Sequence, residues 1–217
     1  MINIIYQDKQ IIVVNKPAGL SVLIEGWDEN APYLSKMLEK KYNRVWVVHR
    51  LDKVTSGVMV FARTAEAHRH LNTQFEKHDV EKVYHAIVED APEWNEYTAR
   101  HSLFVNVGRK HRTVVDKHRG KPSETELMII KRWQDWAWIE ARPKTGRTHQ
   151  IRVHLAALGF PLVADILYGA EETELIARAA LHAQSLTFTH PKTDQKMTFT
   201  APHPEDFIQL IDLLDQQ

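Results

Sequence analysis

The sequence lacks cysteine altogether, and this absence excludes disulfide bonds and zinc sites built on thiolates. It also lacks a long apolar run: the longest is the five residues Val58 to Ala62, whereas a membrane span needs about 20. The N-terminal stretch MINIIYQDKQ carries charges at Asp8 and Lys9, unlike the basic and then apolar pattern of a signal peptide. These absences predict a cytoplasmic protein that does not enter a membrane.

Several catalytic motifs are missing as well. The eight glycines form neither GxGxxG nor GxxxxGK[ST], so no nucleotide-binding loop is predicted. The HRLD stretch at residues 49–52 differs from a kinase HRD loop in order, and neither a glycine-rich loop nor a DFG accompanies it. Ser56 precedes a glycine but lacks the first glycine of a nucleophile elbow. The 13 histidines are scattered without an HExxH pattern, so no metal site is predicted.

The chain has no net charge, with 28 basic and 28 acidic residues, yet its cations are concentrated in two stretches. Residues 108–122 contain one acid, Asp116, and residues 141–154 contain none. The cations of the two stretches are Arg109, Lys110, Arg112, Lys117, Arg119 and Lys121, then Arg142, Lys144, Arg147 and Arg152. Two interpretations follow: solvated loops, or a basic surface for phosphates on a protein that is neutral overall.

The length of 217 residues suits one domain, residues 1–217, with two lobes. Runs rich in β-branched and aromatic residues predict strands. These predicted strands are 11–14, 45–48, 58–62, 82–88, 124–133, 136–142, 181–190 and 196–200. Predicted strands outnumber predicted helices, and several neighbours are joined by short turns. This pattern favours a largely antiparallel or mixed sheet with helices packed on it.

Four helices are predicted from starting residues and apolar spacing. Pro32 opens the first, Thr64 caps the second, Thr148 caps the third, which stops at Gly159, and Pro204 opens the fourth. The buried stripe of the second helix is predicted as Ala67, Leu71 and Phe75, and that of the fourth as Phe207, Leu210, Ile211 and Leu214.

The stretch VVHRLDKVTSGVMVFA, residues 47–62, places Asp52 and an arginine between two apolar strands. A structural ion pair at a strand end is one explanation. Glycoside hydrolysis is another, but it needs a second carboxylate, and nothing in the sequence marks Glu140 or Asp165 for that role.

Two further stretches favour a functional site. KTGRTHQIR, residues 144–152, places cations and donors at a helix start, which suits a phosphate or carboxylate. Arg152 lies one turn inside that helix, so its side chain reaches back toward the start. Tyr84 shares a strand face with Lys82 and can stack on a flat ring.

The order of these motifs resembles that of the RluA-type pseudouridine synthases. The matching stretches are NKPAGL at 15–20, HRLD at 49–52 with TSGV at 55–58, KVYHAIV at 82–88, KTGRTHQIRVH at 144–154 and LHA at 181–183. They cover nearly the whole chain. Many relatives carry an N-terminal S4 domain, and we expect a stand-alone catalytic domain without one.

The resemblance implies an α+β fold: a mixed, mainly antiparallel central sheet flanked by helices, with a central RNA-binding cleft. It implies that uridine in RNA is isomerised to pseudouridine by cleavage of the N-glycosidic bond, rotation of the base and formation of a C5–C1′ bond. It implies that neither a cofactor nor a metal takes part.

The resemblance also assigns roles to residues. Asp52 matches the catalytic aspartate, with attack at C6 or assistance at C1′ left open. Tyr84 matches the tyrosine that packs against the uracil, and Arg152 the arginine that pairs with the aspartate. Arg50 matches the arginine that enters the RNA stack. The remaining predicted RNA-binding residues are Lys144, Arg147, His149, Arg109, Lys110 and Arg112.

The predicted partner is therefore a structured rRNA or tRNA with a flipped uridine. No obligate protein partner is predicted, and a monomer is expected. Residues 89–122 are the first candidates for substrate selection, because they carry a basic cluster and lie outside the matching motifs. The alternative is an RNA-binding module without catalysis, which would not require Asp52, Tyr84 and Arg152 together.

Overall fold

The computed structural model describes residues 2–24 and 30–217. The chain divides into two compact units, the first made of Met1–Lys82 and Ala183–Pro202 and the second of Val83–His182 and His203–Gln217. The helices are α1 Leu34–Tyr42, α2 Ala65–Glu76, α3 Gln150–Ala157 and α4 Glu205–Asp215, with a 3-10 turn at Ile166–Tyr168. The strands are β1 Asn3–Gln7, β2 Ile11–Lys16, β3 Trp46–Val47, β4 Ser56–Ala62, β5 Glu81–Glu89, β6 Glu96–Val107, β7 Arg112–Val115, β8 Lys121–Arg132, β9 Trp136–Pro143, β10 Leu181–Thr189 and β11 Lys196–Thr200.

In the first unit, β4 is the central strand, and all seven of its residues are buried. It pairs antiparallel with β2, from Ile11 opposite Ala62 to Lys16 opposite Gly57. The short strand β3 pairs with the end of β4, and β11 pairs antiparallel with β10. Continuous apolar runs are typical of strands that are covered on both faces, which explains why β2 and β4 were both predicted from their sequence.

Helix α2 packs on this unit through the predicted stripe. The Thr64 hydroxyl accepts a hydrogen bond from the Ala67 N–H at 3.1 Å, so the predicted cap is confirmed. Ala67 and Leu71 are fully buried. The amide of Gln74 also joins the helix to β10, because it donates to the Thr189 carbonyl and accepts from the Thr189 N–H, both at 2.8 Å.

In the second unit the strands pair antiparallel in the order β5, β9, β8, β6, β7. The predicted strands 124–133 and 136–142 correspond to β8 and β9, which form a hairpin, and its turn is closed by a hydrogen bond from the Trp133 N–H to the Trp136 carbonyl at 2.9 Å. The sequence did not predict β6 and β7. Polar and charged residues occur on both faces of β6, so it shows no clean alternation of buried and exposed positions.

Helix α4 completes the core of the second unit. Phe207, Leu210 and Leu214 are buried against Ile87 and Val163, and Ile211 packs beside them partly buried. Each fully buried large apolar side chain stabilises the fold by about 1.5–3 kcal/mol. The predicted stripe of this helix is confirmed, and Pro204 stands at its N-cap position as predicted.

The predicted fold class is confirmed, since the strands pair mostly antiparallel and helices flank them. The predicted cleft stays a prediction. No helix in residues 2–24 and 30–217 is long and apolar enough to cross a membrane.

Candidate active site

The segment between β3 and β4 carries Asp52 in the first unit. Leu51 is buried, Asp52 is half-buried and Arg50 is exposed, so neighbouring side chains have different surroundings. A tight turn follows, in which the Thr55 N–H donates to the Asp52 carbonyl at 3.1 Å. The buried leucine anchors the segment while Asp52 keeps access to solvent.

The buried ammonium of Lys16 also fixes this segment, through hydrogen bonds to backbone carbonyls. Its Nζ donates to the carbonyls of Pro17, Leu20 and Lys53 at 2.9, 2.8 and 3.2 Å. The Gly19 N–H also donates to the Lys53 carbonyl, at 2.8 Å. From the sequence, the NKPAGL stretch was identified only as one of the motifs that match the family. In the structure it holds the backbone next to Asp52.

His49 is a neutral packing residue at the start of this segment. Its ring stacks on Phe75 with a centroid distance of 4.6 Å, and Nε2 accepts a hydrogen bond from the Val60 N–H at 3.1 Å. Desolvation, with the nearby Lys82 ammonium as a second cause, lowers the pKa of His49 to about 3. Desolvation also lowers the pKa of Lys82 to about 8. A neutral imidazole is what the hydrogen bond to Nε2 requires.

Tyr84 lies on β5 in the second unit, where it is half-buried and opposite Ala141 of β9. The next residue, His85, points to the other face of the strand. There its Nδ1 lies 2.8 Å from Nε2 of His203. Desolvation lowers the pKa of His85 to about 4, and the neighbouring His203 adds to this effect. The Tyr84 face of β5 is thus separate from this histidine cluster.

The loop before α3 is organised by the side chain of Gln150. Its Oε1 accepts hydrogen bonds from the Thr145 hydroxyl at 2.6 Å and the Arg147 N–H at 3.0 Å. The predicted cap at Thr148 is wrong, because His149 holds the N-cap position in a left-handed conformation, with φ +55°. The helix ends at Ala157, and Gly159 follows with φ +93°, close to the predicted stop.

Arg152 is buried on α3 and makes a two-pronged ion pair with Asp165. Its Nε and Nη2 donate to the two carboxylate oxygens at 2.7 and 2.6 Å. The sequence offered Asp165 only as a possible second acid, without a marker for it. Its contact with Arg152 is a residue pairing that sequence reasoning missed. The predicted pairing of Arg152 with Asp52 stays a prediction.

His154 is seated in a polar site beneath α3, with both ring nitrogens hydrogen-bonded. Nε2 lies 2.8 Å from the hydroxyl of Ser123, which itself donates to the His101 carbonyl. Nδ1 lies 3.0 Å from the hydroxyl of Thr125. These partners suit a neutral ring with its proton on Nε2. Desolvation, with His101 nearby, lowers the pKa of His154 to about 4.

This buried histidine predicts acid sensitivity of the fold. The unfolded ring has a pKa near 6.5, so the unfolded state binds the proton first, and the stability present above about pH 6.5 is lost as pH falls toward 4. The loss from His154 is on the order of 3 kcal/mol. We expect urea unfolding at pH 7.5, 6.0 and 5.0 to show a shallower pH dependence for His154→Gln than for wild type. Parallel dependences in the two proteins would contradict this assignment.

The two basic stretches differ in how their charges are compensated. Lys144 pairs with Glu126 at 2.6 Å, and Arg142 pairs with Glu140 at 2.6 Å, so acids of β8 and β9 offset the second stretch. Arg109, Lys110 and Arg112 are exposed around the turn between β6 and β7. Asn106, Gly108 and His111 shape that turn, each with a positive φ. We call residues 106–112 the basic hairpin tip.

The structure brings two of the predicted site residues onto one aromatic ring. The Arg152 guanidinium lies 4.9 Å from the centroid of the Tyr168 ring, and Nδ1 of His149 lies 2.7 Å from the Tyr168 hydroxyl. Arg147 is half-buried at the same loop. In the part of the chain that the structure describes, no group of three or more His, Asp or Glu side chains is arranged to hold a metal ion.

Comparison with known proteins identifies the family. The family model for RNA pseudouridylate synthase matches residues 10–157, which include Asp52, Tyr84 and Arg152. The chain therefore belongs to the RNA pseudouridylate synthase family, and the family predicted from the motifs is confirmed.

Named relatives agree with this membership. The chain is 38% identical over 201 residues to the dual-specificity RNA pseudouridine synthase RluA of Escherichia coli K12, covering 92% of each chain. It is 35% identical over 238 residues to the ribosomal large subunit pseudouridine synthase D of Neisseria meningitidis serogroup B. That match covers 98% of this chain and 61% of the relative's length.

Solved structures show the same fold. Human RNA pseudouridylate synthase domain containing 1 matches with a TM-score of 0.79 and 26% identity, over 100% of this chain and 96% of that one. Human RNA pseudouridylate synthase domain containing 4 matches with a TM-score of 0.79 and 24% identity, over 98% and 93% of the two chains. At 24% identity the second likeness is one of fold alone.

Proposed function

We propose that this chain is an RNA pseudouridine synthase, an isomerase that converts specific uridines of rRNA or tRNA to pseudouridine. The observation that carries the proposal is the family match across residues 10–157. In the proposed reaction the N-glycosidic bond breaks, the uracil rotates, and C5 of the base bonds to C1′. Residues 1–217 act as a single catalytic domain, without a cofactor.

Asp52 is the proposed nucleophile, and its surroundings support that role. The turn at Thr55 fixes the carbonyl of Asp52 and the Lys16 ammonium fixes that of the next residue, Lys53, while the side chain of Asp52 is only half-buried. A positioned carboxylate can form a covalent intermediate with the base or the sugar. Attack at C6 and assistance at C1′ are both compatible with this proposal.

Tyr84 and Arg50 are proposed to offset the cost of extracting the uridine. Flipping a base out of a stack costs a few kcal/mol. A tyrosine ring stacked on the flipped uracil recovers ~1–3 kcal/mol. The exposed guanidinium of Arg50 can stack and donate hydrogen bonds in the space that the base leaves. Tyr84 is also a candidate base for the C5 proton.

The decisive experiment measures release of tritium from RNA that carries C5-tritiated uridine. Exchange of the C5 proton is expected with wild-type protein, and conversion is confirmed by mass-labelling of pseudouridine in digested RNA. If the protein bound RNA but released no tritium from either rRNA or tRNA, an RNA-binding module without catalysis would be favoured instead. Mapping of pseudouridine in total RNA from cells with and without this protein then identifies the site.

The basic hairpin tip is proposed to bind the RNA backbone, with Lys144, Arg147 and His149 contributing from the loop before α3. Replacing Arg109, Lys110 and Arg112 together by alanine should weaken binding. It should also lower the slope of log affinity against log salt by roughly 2 to 3, because fewer counterions are released. Filter binding at several salt concentrations measures both effects.

A matched control removes equal charge elsewhere. Lys36, Lys77 and Lys192 are exposed in the first unit, and their triple alanine variant should leave affinity and slope unchanged. Equal slopes for wild type and the hairpin variant would refute the role of the hairpin tip.

A monomeric state, the absence of an obligate protein partner and a cytoplasmic location are parts of the same proposal.

A further inference from the structure

Asp165 contacts the guanidinium of Arg152 along one edge and fixes its orientation. Both side chains are buried, with 7% and 1% of their surfaces exposed. The carboxylate meets Nε and Nη2 at 2.7 and 2.6 Å, and such a two-pronged contact fixes the direction of the guanidinium as well as its distance. Asp165 lies beyond the end of α3, just before the 3-10 turn, so two separate chain segments define this position.

Tyr168 covers a face of the same guanidinium. Its ring centroid lies 4.9 Å from the guanidinium carbon, within the range of a cation–π contact. The ring itself is tied at its far end, because the hydroxyl accepts from the Thr113 N–H of β7 at 3.0 Å. The His149 ring lies 2.7 Å from that hydroxyl. Desolvation raises the pKa of Tyr168, so the phenol stays neutral at assay pH.

A second arginine–aspartate pair in the same unit serves for comparison. Arg178 donates to Asp206 at 2.7 and 3.0 Å and also to the carbonyls of Ala179 and Leu181. Asp206 is 42% exposed, whereas Asp165 is 1% exposed. The Arg152 site is therefore the more deeply buried of the two, and the Tyr168 ring restricts its guanidinium in a further direction.

Burial makes charge compensation necessary. A carboxylate or a guanidinium enclosed without a partner is strongly destabilising, and the pair is tolerated because each ion neutralises the other. Asp165 therefore compensates the charge of Arg152 within the second unit itself. Arg152 then serves the reaction mainly as a set of N–H donors in a fixed orientation. That orientation depends on the two groups in contact with the guanidinium, Asp165 and Tyr168.

We propose that Asp165 and Tyr168 are positioning residues that lock the Arg152 guanidinium in its working orientation. This inference rests on the proposed function, because that function gives Arg152 its role. Misplacement of a reacting group by about 1 Å can cost roughly 100-fold in rate. Loss of either holder should therefore lower turnover while leaving RNA affinity nearly intact.

The test compares Asp165→Asn, Tyr168→Phe and Arg152→Ala by single-turnover tritium release and by RNA binding. We expect Asp165→Asn to lower the rate by roughly 100-fold and Tyr168→Phe by roughly 10-fold, each with less than a threefold change in affinity. Tyr168→Phe keeps the ring and removes only the hydroxyl tether, so it preserves the fold if Asp165→Asn does not. Asp206→Asn is the matched control, and its turnover should equal that of wild type.

A spectroscopic readout separates this inference from the proposed function. The readout is the proton NMR signal of the Arg152 Nε–H, which is assigned by its loss in the Arg152→Ala variant. This proton should exchange slowly with solvent in wild type and Asp206→Asn, and rapidly in Asp165→Asn. Wild-type turnover in Asp165→Asn and Tyr168→Phe, with Arg152→Ala inactive, would overturn the inference alone. An inactive wild-type protein would overturn the proposed function. Slow exchange of the Arg152 Nε–H in Asp165→Asn would then overturn the positioning role of Asp165 as well.

Discussion

Replacing Asp52 with alanine is expected to abolish pseudouridine formation while RNA affinity stays within about threefold of wild type. A nucleophile has no substitute in a covalent mechanism, and its loss costs at least about 10⁴-fold in comparable enzymes. Affinity survives because binding is attributed to cations and a stacking ring, not to this carboxylate. Tritium release under single-turnover conditions measures the first effect, and filter binding the second.

A control separates the loss of a carboxylate from a general change of charge. Asp79 is exposed beyond the end of α2, and Asp79→Asn should retain full activity. Asp52→Asn, which keeps the shape of the side chain, should be as inactive as Asp52→Ala. Full activity in Asp52→Ala would remove the proposed mechanism, since no other residue has been assigned the nucleophilic step.

Replacing Gly57 with alanine is expected to destabilise the first unit by at least about 4 kcal/mol. Gly57 has φ +121°, a conformation that side chains rarely adopt. An added Cβ would lie 2.2 Å from the carbonyl oxygen of Ala183 and 2.6 Å from its nitrogen. Both atoms belong to backbone, so relief would require β4 to move from its place. Urea unfolding, or loss of folded protein on expression, measures the effect.

Gly146 supplies the matched control. It has no positive φ, and an added Cβ would meet nothing within 4 Å. Gly146→Ala should therefore change the free energy of unfolding by less than about 1 kcal/mol. If Gly57→Ala unfolded at the same urea concentration as wild type, the close approach of Gly57 to Ala183 would be disproved.

Local sequence patterns predicted much of the fold because local physics dictated it. Continuous apolar residues at 58–62 gave β4, and Thr64 gave the cap of α2. The spacing of Phe207, Leu210 and Leu214 gave the buried face of α4. In each case the signal lies within one helix or one strand, so no distant residue had to be known.

The remainder depends on side-chain contacts that no local sequence pattern marks. Asp165 pairs with Arg152, 13 residues earlier, and nothing beside Asp165 in the sequence marks this contact. The second basic stretch contains no acid because its partners lie outside it: Glu126 of β8 pairs with Lys144, and Glu140, just before the stretch, pairs with Arg142. Thr148 looked like a cap because capping is usually done by hydroxyls, whereas Gln150 organises this loop from inside the helix.

The buried Lys16 also has a consequence for how the segment around Asp52 responds to salt. Backbone carbonyl oxygens also surround the potassium ions in channel selectivity filters. Here the cation is the side chain of Lys16, which is covalently attached, so it cannot be diluted away, exchanged for another ion or removed by a chelator. The backbone beside Asp52 should therefore keep its shape across ionic strengths that dissociate the RNA. Under the proposed function, salt should therefore weaken RNA binding and leave the rate on bound RNA unchanged.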